Sequence, residues 1–127
     1  MSSPQKFSFI IQSDDYNKVH SALVLASAAL AIGKSVTLFF TMSGTRTLTH
    51  GWAKKGQEET FKKKGLATFE TLLDACNKMD ASIMVCPMGL SSVDLTDQDL
   101  RKDIKITEGS AVSFISDLEI NGSVLYV

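Results

Sequence analysis

A strand, a helix, a glycine and a second strand follow one another within residues 7–41, and this order restricts the fold more than any other feature of the chain. The segment Phe7–Gln12 is short and rich in Phe and Ile, which predicts a buried strand. The next segment, Tyr16–Ile32, predicts an Ala- and Leu-rich helix that ends at Gly33. A second strand is predicted over Ser35–Thr41. Such a strand–helix–strand unit implies parallel strands and a right-handed crossover.

The same alternation of strands and helices continues through the rest of the chain. The pattern predicts a helix over Leu66–Met79, a strand over Ala81–Cys86, a short helix in the polar stretch that follows, a short strand over Ile104–Ile106, a helix over Gly109–Leu118 with Ser110 as its cap, a turn at Asn121–Gly122 and a last strand over Ser123–Val127. We therefore predict an α/β fold, a three-layer α/β/α sandwich around a mostly parallel five-stranded sheet. The length of 127 residues fits one domain spanning residues 1–127.

Charge and hydropathy exclude several classes of protein. The 13 basic and 14 acidic residues give a net charge of -1, whereas proteins that bind nucleic acid or a membrane surface usually carry a basic excess. The apolar run Phe7–Ile11 is too short for the core of a signal peptide. The longer run Ala22–Ile32 falls short of the roughly 18 residues that span a bilayer. We expect a cytoplasmic protein with no membrane span and no nucleic-acid partner.

The segment of residues 42–65 interrupts the regular alternation and is locally basic. It contains four glycines, a predicted short helix over Gln57–Lys64, and six basic residues, namely Arg46, Lys54, Lys55, Lys62, Lys63 and Lys64. Long loops inside compact domains are often lids or binding elements. The lysines either form a solvated face or attract an anion to a site beneath them.

Candidate ligand-binding residues follow each of the first three strands. In open α/β sheets, ligands bind outside the carboxyl ends of the strands. This rule selects Asp14 and Asp15 after the first strand, Thr41, Met42 and Gly44 after the second, and Cys86, Met88 and Gly89 after the third. The two aspartates are also helix-capping residues, and we favour that interpretation over metal binding. The two methionines either line a soft pocket suited to sulfur compounds or fill gaps in the core.

Cys86 is the strongest candidate for a chemically reactive residue. Pro87 favours an extended conformation for Cys86, which places the thiol at the end of a strand. A following helix and the basic segment would both favour the thiolate, the form that attacks sulfur electrophiles. The alternative interpretation is a buried, unreactive thiol. Cys76 lies on the apolar side of a helix and is expected to pack, and with only His20 and His50 besides, no metal site is predicted.

Three stretches together resemble the DsrE/DsrF-like family. The first is SDDYNKVHSALVLASAALAIGKSVTLFFTMSG (Ser13–Gly44), the second LLDACNKMDASIMVCPMGLSSVDL (Leu72–Leu95) and the third ITEGSAVSFISDL (Ile106–Leu118). In the second stretch, Cys86 and Met88 match the C-x-M step of the cysteine-containing subgroup, which is sometimes labelled peroxiredoxin-like. Pro87 and the Gly89–Leu90 step depart from the pattern of that subgroup.

The resemblance implies a flavodoxin-like fold, assembly into trimers or hexamers, and a role in intracellular sulfur trafficking. It implies that Cys86 holds sulfur as a persulfide or thiosulfonate and passes it to a partner such as a TusA-like carrier, without a cofactor. Whether this makes the chain an enzyme, a sulfurtransferase, stays open. A second interpretation is a non-catalytic oligomeric module that binds a small anion or nucleotide-like ligand, with Cys86 merely packed. A thiol peroxidase is a third, but neither Thr nor Arg lies near Cys86 in the sequence.

Overall fold

The computed structural model describes residues 5–53, 55–118 and 122–127, and five strands within these ranges form one sheet. The strands are β1 (Lys6–Ile11), β2 (Ser35–Phe40), β3 (Ser82–Val85), β4 (Thr107–Glu108) and β5 (Ser123–Tyr126). They lie in the order β4-β3-β2-β1-β5, and every neighbouring pair is parallel. The predicted α/β fold around a five-stranded parallel sheet is confirmed.

Helices connect the strands as the sequence pattern predicts. They are α1 (Tyr16–Ala31), α2 (Lys55–Lys63), α3 (Phe69–Lys78), α4 (Pro87–Ser92) and α5 (Ala111–Ser116), with 3₁₀ segments at Met42–Leu48 and Asp97–Asp99. The predicted caps of α1 and α5 are confirmed, because Asp15 accepts from the Lys18 amide and Ser110 from the Ser113 amide. Gly33 lies between α1 and β2. Its backbone is in the left-handed region, at φ +85°, which a glycine adopts without strain.

The main core fills one face of the sheet, beneath α1 and α3. Its largest fully buried side chains include Phe9, Phe40, Phe69, Leu23, Leu38 and Leu73. Phe9 and Phe40 lie in β1 and β2, and residues two apart along each strand share a face. We call this side of the sheet the main face.

The opposite face is covered much more thinly, and we call it the cysteine face. Phe39, Met84, Cys86 and Phe114 form a small second cluster there, with Ile10 packed against it. Of the helices in the described ranges, α5 is the one that crosses this face, since it connects β4 at one edge of the sheet to β5 at the other. The strands also bury polar side chains on this side, at Ser8 and Thr37.

One prediction differs from the structure, and one lies outside the described residues. The strand predicted at Ile104–Ile106 is wrong, because the pairing with β3 occurs at Thr107–Glu108. Ile104 and Ile106 instead contribute side chains to the main core. The predicted turn at Asn121–Gly122 includes residue 121, which lies outside the described ranges. Among the described helices, none is both long enough and apolar enough to cross a membrane.

Candidate functional site

Cys86 lies at the carboxyl end of the third strand, as predicted. It directly follows β3, and its amide donates to the Phe40 carbonyl at 2.9 Å, which continues the pairing with β2 by one residue. Cys86 is also the N-cap residue of α4, in an extended conformation, and Pro87 opens that helix. The backbone of the cysteine is therefore fixed on both sides, by the sheet and by the helix.

A close backbone contact joins the loops that follow β2 and β3. A Cβ atom on Gly89 would overlap the Met42 amide nitrogen and lie 3.0 Å from the Cα atom of Thr41. Glycine at this position therefore lets α4 rest directly on the Thr41–Met42 peptide. Met42 adopts φ +49°, a conformation that is uncommon outside glycine. The structure thus brings Thr41, Met42, Gly89 and Cys86 together, as the sequence predicts.

The remaining predicted ligand residues have identifiable structural contacts. A Cβ atom on Gly44 would overlap the Ile11 carbonyl, so this glycine holds the 3₁₀ segment against the end of β1. Asp14 pairs with Arg46 of the same segment at 3.1 Å, with both side chains partly exposed. Asp15 caps α1. Met88 is 74% exposed on the first turn of α4 and Met42 is 39% exposed.

The Cys86 side chain lies on the cysteine face of the sheet, and the residue is 7% exposed. Its neighbours in the cluster are Met84, two residues earlier on β3, Phe39 on β2 and Phe114 on α5. The two phenylalanine rings stack with centroids 4.7 Å apart. Cys86 is therefore packed together with two aromatic rings and a thioether. The alternation of strand residues could have indicated Met84, but no local pattern points to Phe114.

Cys76 and Cys86 are both buried, but they pack in different clusters. It packs in the main core at 0% exposure, as predicted, and burial raises the pKa of its thiol to about 11. Both cysteines are free thiols and they belong to clusters on opposite faces of the sheet. Cys76 is consequently a packing residue of α3.

The basic segment is expected from the sequence to lie over Cys86. The described part of residues 42–65 does not do so. Helix α2 docks on the main face, where Phe61 packs edge-on against Tyr16 and His20. Glu58 accepts the Phe69 amide at 2.7 Å and so caps the start of α3. These contacts place α2 across the sheet from the Cys86 side chain. Lys54 lies outside the described residues.

His20 is partly buried, whereas His50 is exposed. The His20 ring stacks on Tyr16, and its Nε2 atom lies 2.8 Å from the Ala67 carbonyl oxygen. Within residues 5–53, 55–118 and 122–127, no group of three or more His, Cys, Asp or Glu side chains is placed to hold a metal ion.

Comparison with known proteins identifies the relatives of this fold and site. The sequence profile of the DsrE/DsrF-like family matches residues 5–123. The chain belongs to the DsrE/DsrF-like family. Family membership suggests a function related to sulfur relay, and in this DsrE/DsrF-like chain the cysteine at the end of β3 is Cys86.

A solved structure supports the fold independently. The crystal structure of the ychN protein from E. coli superposes with a TM-score of 0.66 at 14% sequence identity, covering 97% of this chain and 99% of the other. At that identity the likeness concerns the fold alone. No curated protein matches the sequence significantly.

Proposed function

We propose that this DsrE/DsrF-like chain is a sulfur carrier in which Cys86 holds sulfur and passes it to a partner thiol. The observation that carries the proposal is the position of Cys86 between the sheet and α4, beside the loop that follows β2. In parallel α/β sheets this edge is where ligands bind. The other cysteine, Cys76, is packed in the main core and offers no such position.

The transfer needs no net oxidation or reduction. The Cys86 thiolate attacks the outer sulfur of a persulfide or polysulfide R–S–SH and forms a new S–S bond. The bond between that sulfur and the donor's inner sulfur breaks, and the donor leaves as a thiolate R–S⁻ with the electron pair. Cys86 then carries Cys–S–SH. An acceptor thiolate attacks the outer sulfur and releases the Cys86 thiolate.

The surroundings of Cys86 fit a soft, polarisable cargo. The Met84 thioether packs in the same cluster as the thiol, and the exposed Met88 lies two residues beyond it. A thioether is soft and polarisable, and its sulfur makes favourable contacts with aromatic rings. A sulfane sulfur at Cys86 would thus meet sulfur and aromatic carbon rather than fixed charge.

The proposed partners are further copies of this chain, in a trimer or hexamer, and a small TusA-like carrier protein in the cytoplasm. Exposed large apolar side chains on the last helix and strand support assembly, since such groups mark contact surfaces when they are contiguous. They are Val112 and Ile115 on α5 and Val124 and Tyr126 on β5. Sedimentation velocity of the purified protein measures the assembly directly.

Sulfur loading of cysteine variants tests the carrier function. Wild type, Cys86→Ser and Cys76→Ser are incubated with polysulfide, and the intact mass is measured before and after dithiothreitol. We expect a reversible adduct of added sulfur on wild type and on Cys76→Ser, and none on Cys86→Ser. Equal loading of Cys86→Ser and wild type would exclude Cys86 as the sulfur-bearing residue.

The burial of Cys86 favours a second function, the non-catalytic binding module. At 7% exposure the cysteine is nearly covered. If native protein takes up no sulfur while the unfolded chain does, Cys86 is a packing residue and the binding function is preferred.

A further inference from the structure

Helix α5 contributes one buried side chain to the cluster that contains Cys86. The helix has six residues, and its only buried one is Phe114. The other five side chains of the helix are exposed, at Ala111, Val112, Ser113, Ile115 and Ser116. Phe114 stacks on Phe39 and is 3% exposed, so the contact itself is well packed. The apolar attachment of α5 thus consists of one fully buried ring, Phe114, and the partly buried Leu118 just beyond the helix.

A second attachment, at the end of α5, is weak. Lys6 of β1 donates to the Asp117 carbonyl at 2.9 Å and pairs with the Asp117 carboxylate. The lysine is nearly buried, but the aspartate side chain is 55% exposed. Ion pairs with an exposed partner contribute little to stability. This ion pair therefore contributes to the orientation of α5 but adds little to the stability of its packing on the sheet.

The helices on the main face are anchored much more firmly. α1 buries six side chains and α3 buries four, against one for α5. Segments with few buried apolar contacts open locally at lower free energy than the core does. The difference in anchoring means that α5 can lift from the sheet while the main core stays intact.

We infer that α5 is a movable cover, held by Phe114, whose opening controls access to the Cys86 thiol. Closed, it shields Cys86 from solvent and oxidants. Open, it exposes the sulfur atom and the end of β3 to a donor or acceptor. The use of this device in sulfur transfer rests on the proposed function. The opening itself is a property of the fold.

Alkylation of the native protein measures the opening. The protein is treated with iodoacetamide under native conditions, and the modification of each cysteine is followed over time by peptide mapping. Cys76 is the internal control, because its position in the main core makes it reactive only on global unfolding. The test variant is Phe114→Ala, and the matched control is Ser116→Ala, which truncates an exposed polar side chain of the same helix.

The cover predicts a selective effect. Phe114→Ala accelerates Cys86 alkylation at least about tenfold, since truncating a buried phenylalanine removes most of its packing free energy. Cys76 stays unmodified, and Ser116→Ala changes the Cys86 rate by less than about twofold, as exposed substitutions do. Parallel acceleration of both cysteines in Phe114→Ala would show global unfolding. Wild-type Cys86 reacting as fast as in the denatured chain would show no cover. Either result overturns the inference.

A milder variant keeps the test valid if Phe114→Ala does not fold. Lys6→Met keeps the length of the side chain but releases Asp117, and it should accelerate Cys86 alkylation about two- to fivefold, within the range of a partly exposed ion pair. An unchanged rate in that variant counts against the cover.

Alkylation and sulfur loading fail independently. If Phe114→Ala speeds alkylation of Cys86 but the thiol never accepts sulfur, the carrier function is excluded and the cover stands. If wild-type Cys86 loads with sulfur but Phe114→Ala leaves its alkylation rate unchanged, the carrier function stands and the cover is excluded.

Discussion

The two faces of the sheet use the same five strands but bury their cysteines in different ways. On the main face, Cys76 lies in a continuous core with α1 and α3 packed across it. On the cysteine face, Cys86 lies in a cluster of four buried residues under the short helix α5. Both thiols are buried, so burial alone does not distinguish a packing residue from a reactive one. What distinguishes them is how much structure must move to expose each sulfur.

The largest expected effect compares one phenylalanine from each face. Phe40→Ala opens a cavity in the main core and should lower the free energy of unfolding by about 3–5 kcal/mol. Phe114→Ala should cost less, about 1–3 kcal/mol, since α5 can detach without loss of the main core. Urea unfolding of both variants measures the difference. Equal costs would mean that the two faces are anchored alike.

Alkaline pH tests the main face through Cys76. Burial raises the pKa of the Cys76 thiol to about 11 in the folded protein, whereas an ordinary thiol has a pKa near 8.5. The buried neutral thiol therefore contributes fully to the free energy of unfolding below about pH 8.5. That contribution is lost as the pH rises to about 11, because the unfolded chain gains stability by losing the proton. Over this range the stability difference between wild type and Cys76→Ala should shift by about 2–3 kcal/mol, against wild type. Urea titrations at pH 8 and pH 11 check this. A constant difference would mean that Cys76 is more accessible than the structure shows.

Gly89→Ala tests the backbone contact beside Cys86. A methyl group there has no room against the Thr41–Met42 peptide, so we expect a loss of about 1–3 kcal/mol, as for overpacking. The matched control is Gly56→Ala on α2, where nothing lies within 4 Å. That change should stabilise by about 0.4–1 kcal/mol. Thermal unfolding of both variants is the measurement, and a neutral Gly89→Ala would contradict the contact.

Acidic pH gives the smallest effect, again on the main face. Hydrogen bonds from Arg101, both at 2.7 Å, lower the pKa of Asp103 to about 2, and Arg101 also binds Glu70 of α3. A carboxyl group whose pKa is lowered in the folded state stabilises the protein at pH values above its ordinary pKa near 4. This stabilisation is lost as the pH falls to about 2. The Asp103 side chain is 61% exposed, so Asp103→Asn should cost at most about 1 kcal/mol at pH 7 and nothing at pH 2. A cost that persists at pH 2 would point to packing instead of charge.

Most of the fold could be predicted from local patterns. The strand–helix–glycine–strand unit, the capping residues Asp15 and Ser110, and the position of Cys86 after β3 all follow from neighbours in the sequence. The strand order could not be predicted, because it depends on contacts between distant segments. β4 was misplaced because Ile104 and Ile106 look like strand residues but pack as isolated side chains.

The site could be predicted only in part, because some of its contacts join segments that are distant in the sequence. The loops that approach Cys86 follow from the parallel sheet, and Met84 follows from the alternation along β3. Phe114 is separated from Cys86 by 28 residues of sequence, and α2 is drawn to the main face by Phe61 and Glu58. Such long-range contacts decide whether the thiol is covered, and no local pattern carries them.

The most direct test of the account follows both cysteines of the wild-type protein in one experiment. Folded protein is pulsed with polysulfide, quenched, and mapped by peptide mass for sulfur added at each thiol. We expect dithiothreitol-reversible sulfur on Cys86 with Cys76 unmodified, because we infer that only the cysteine face opens under native conditions. Modification of neither cysteine until the chain unfolds, or of both together, would contradict it.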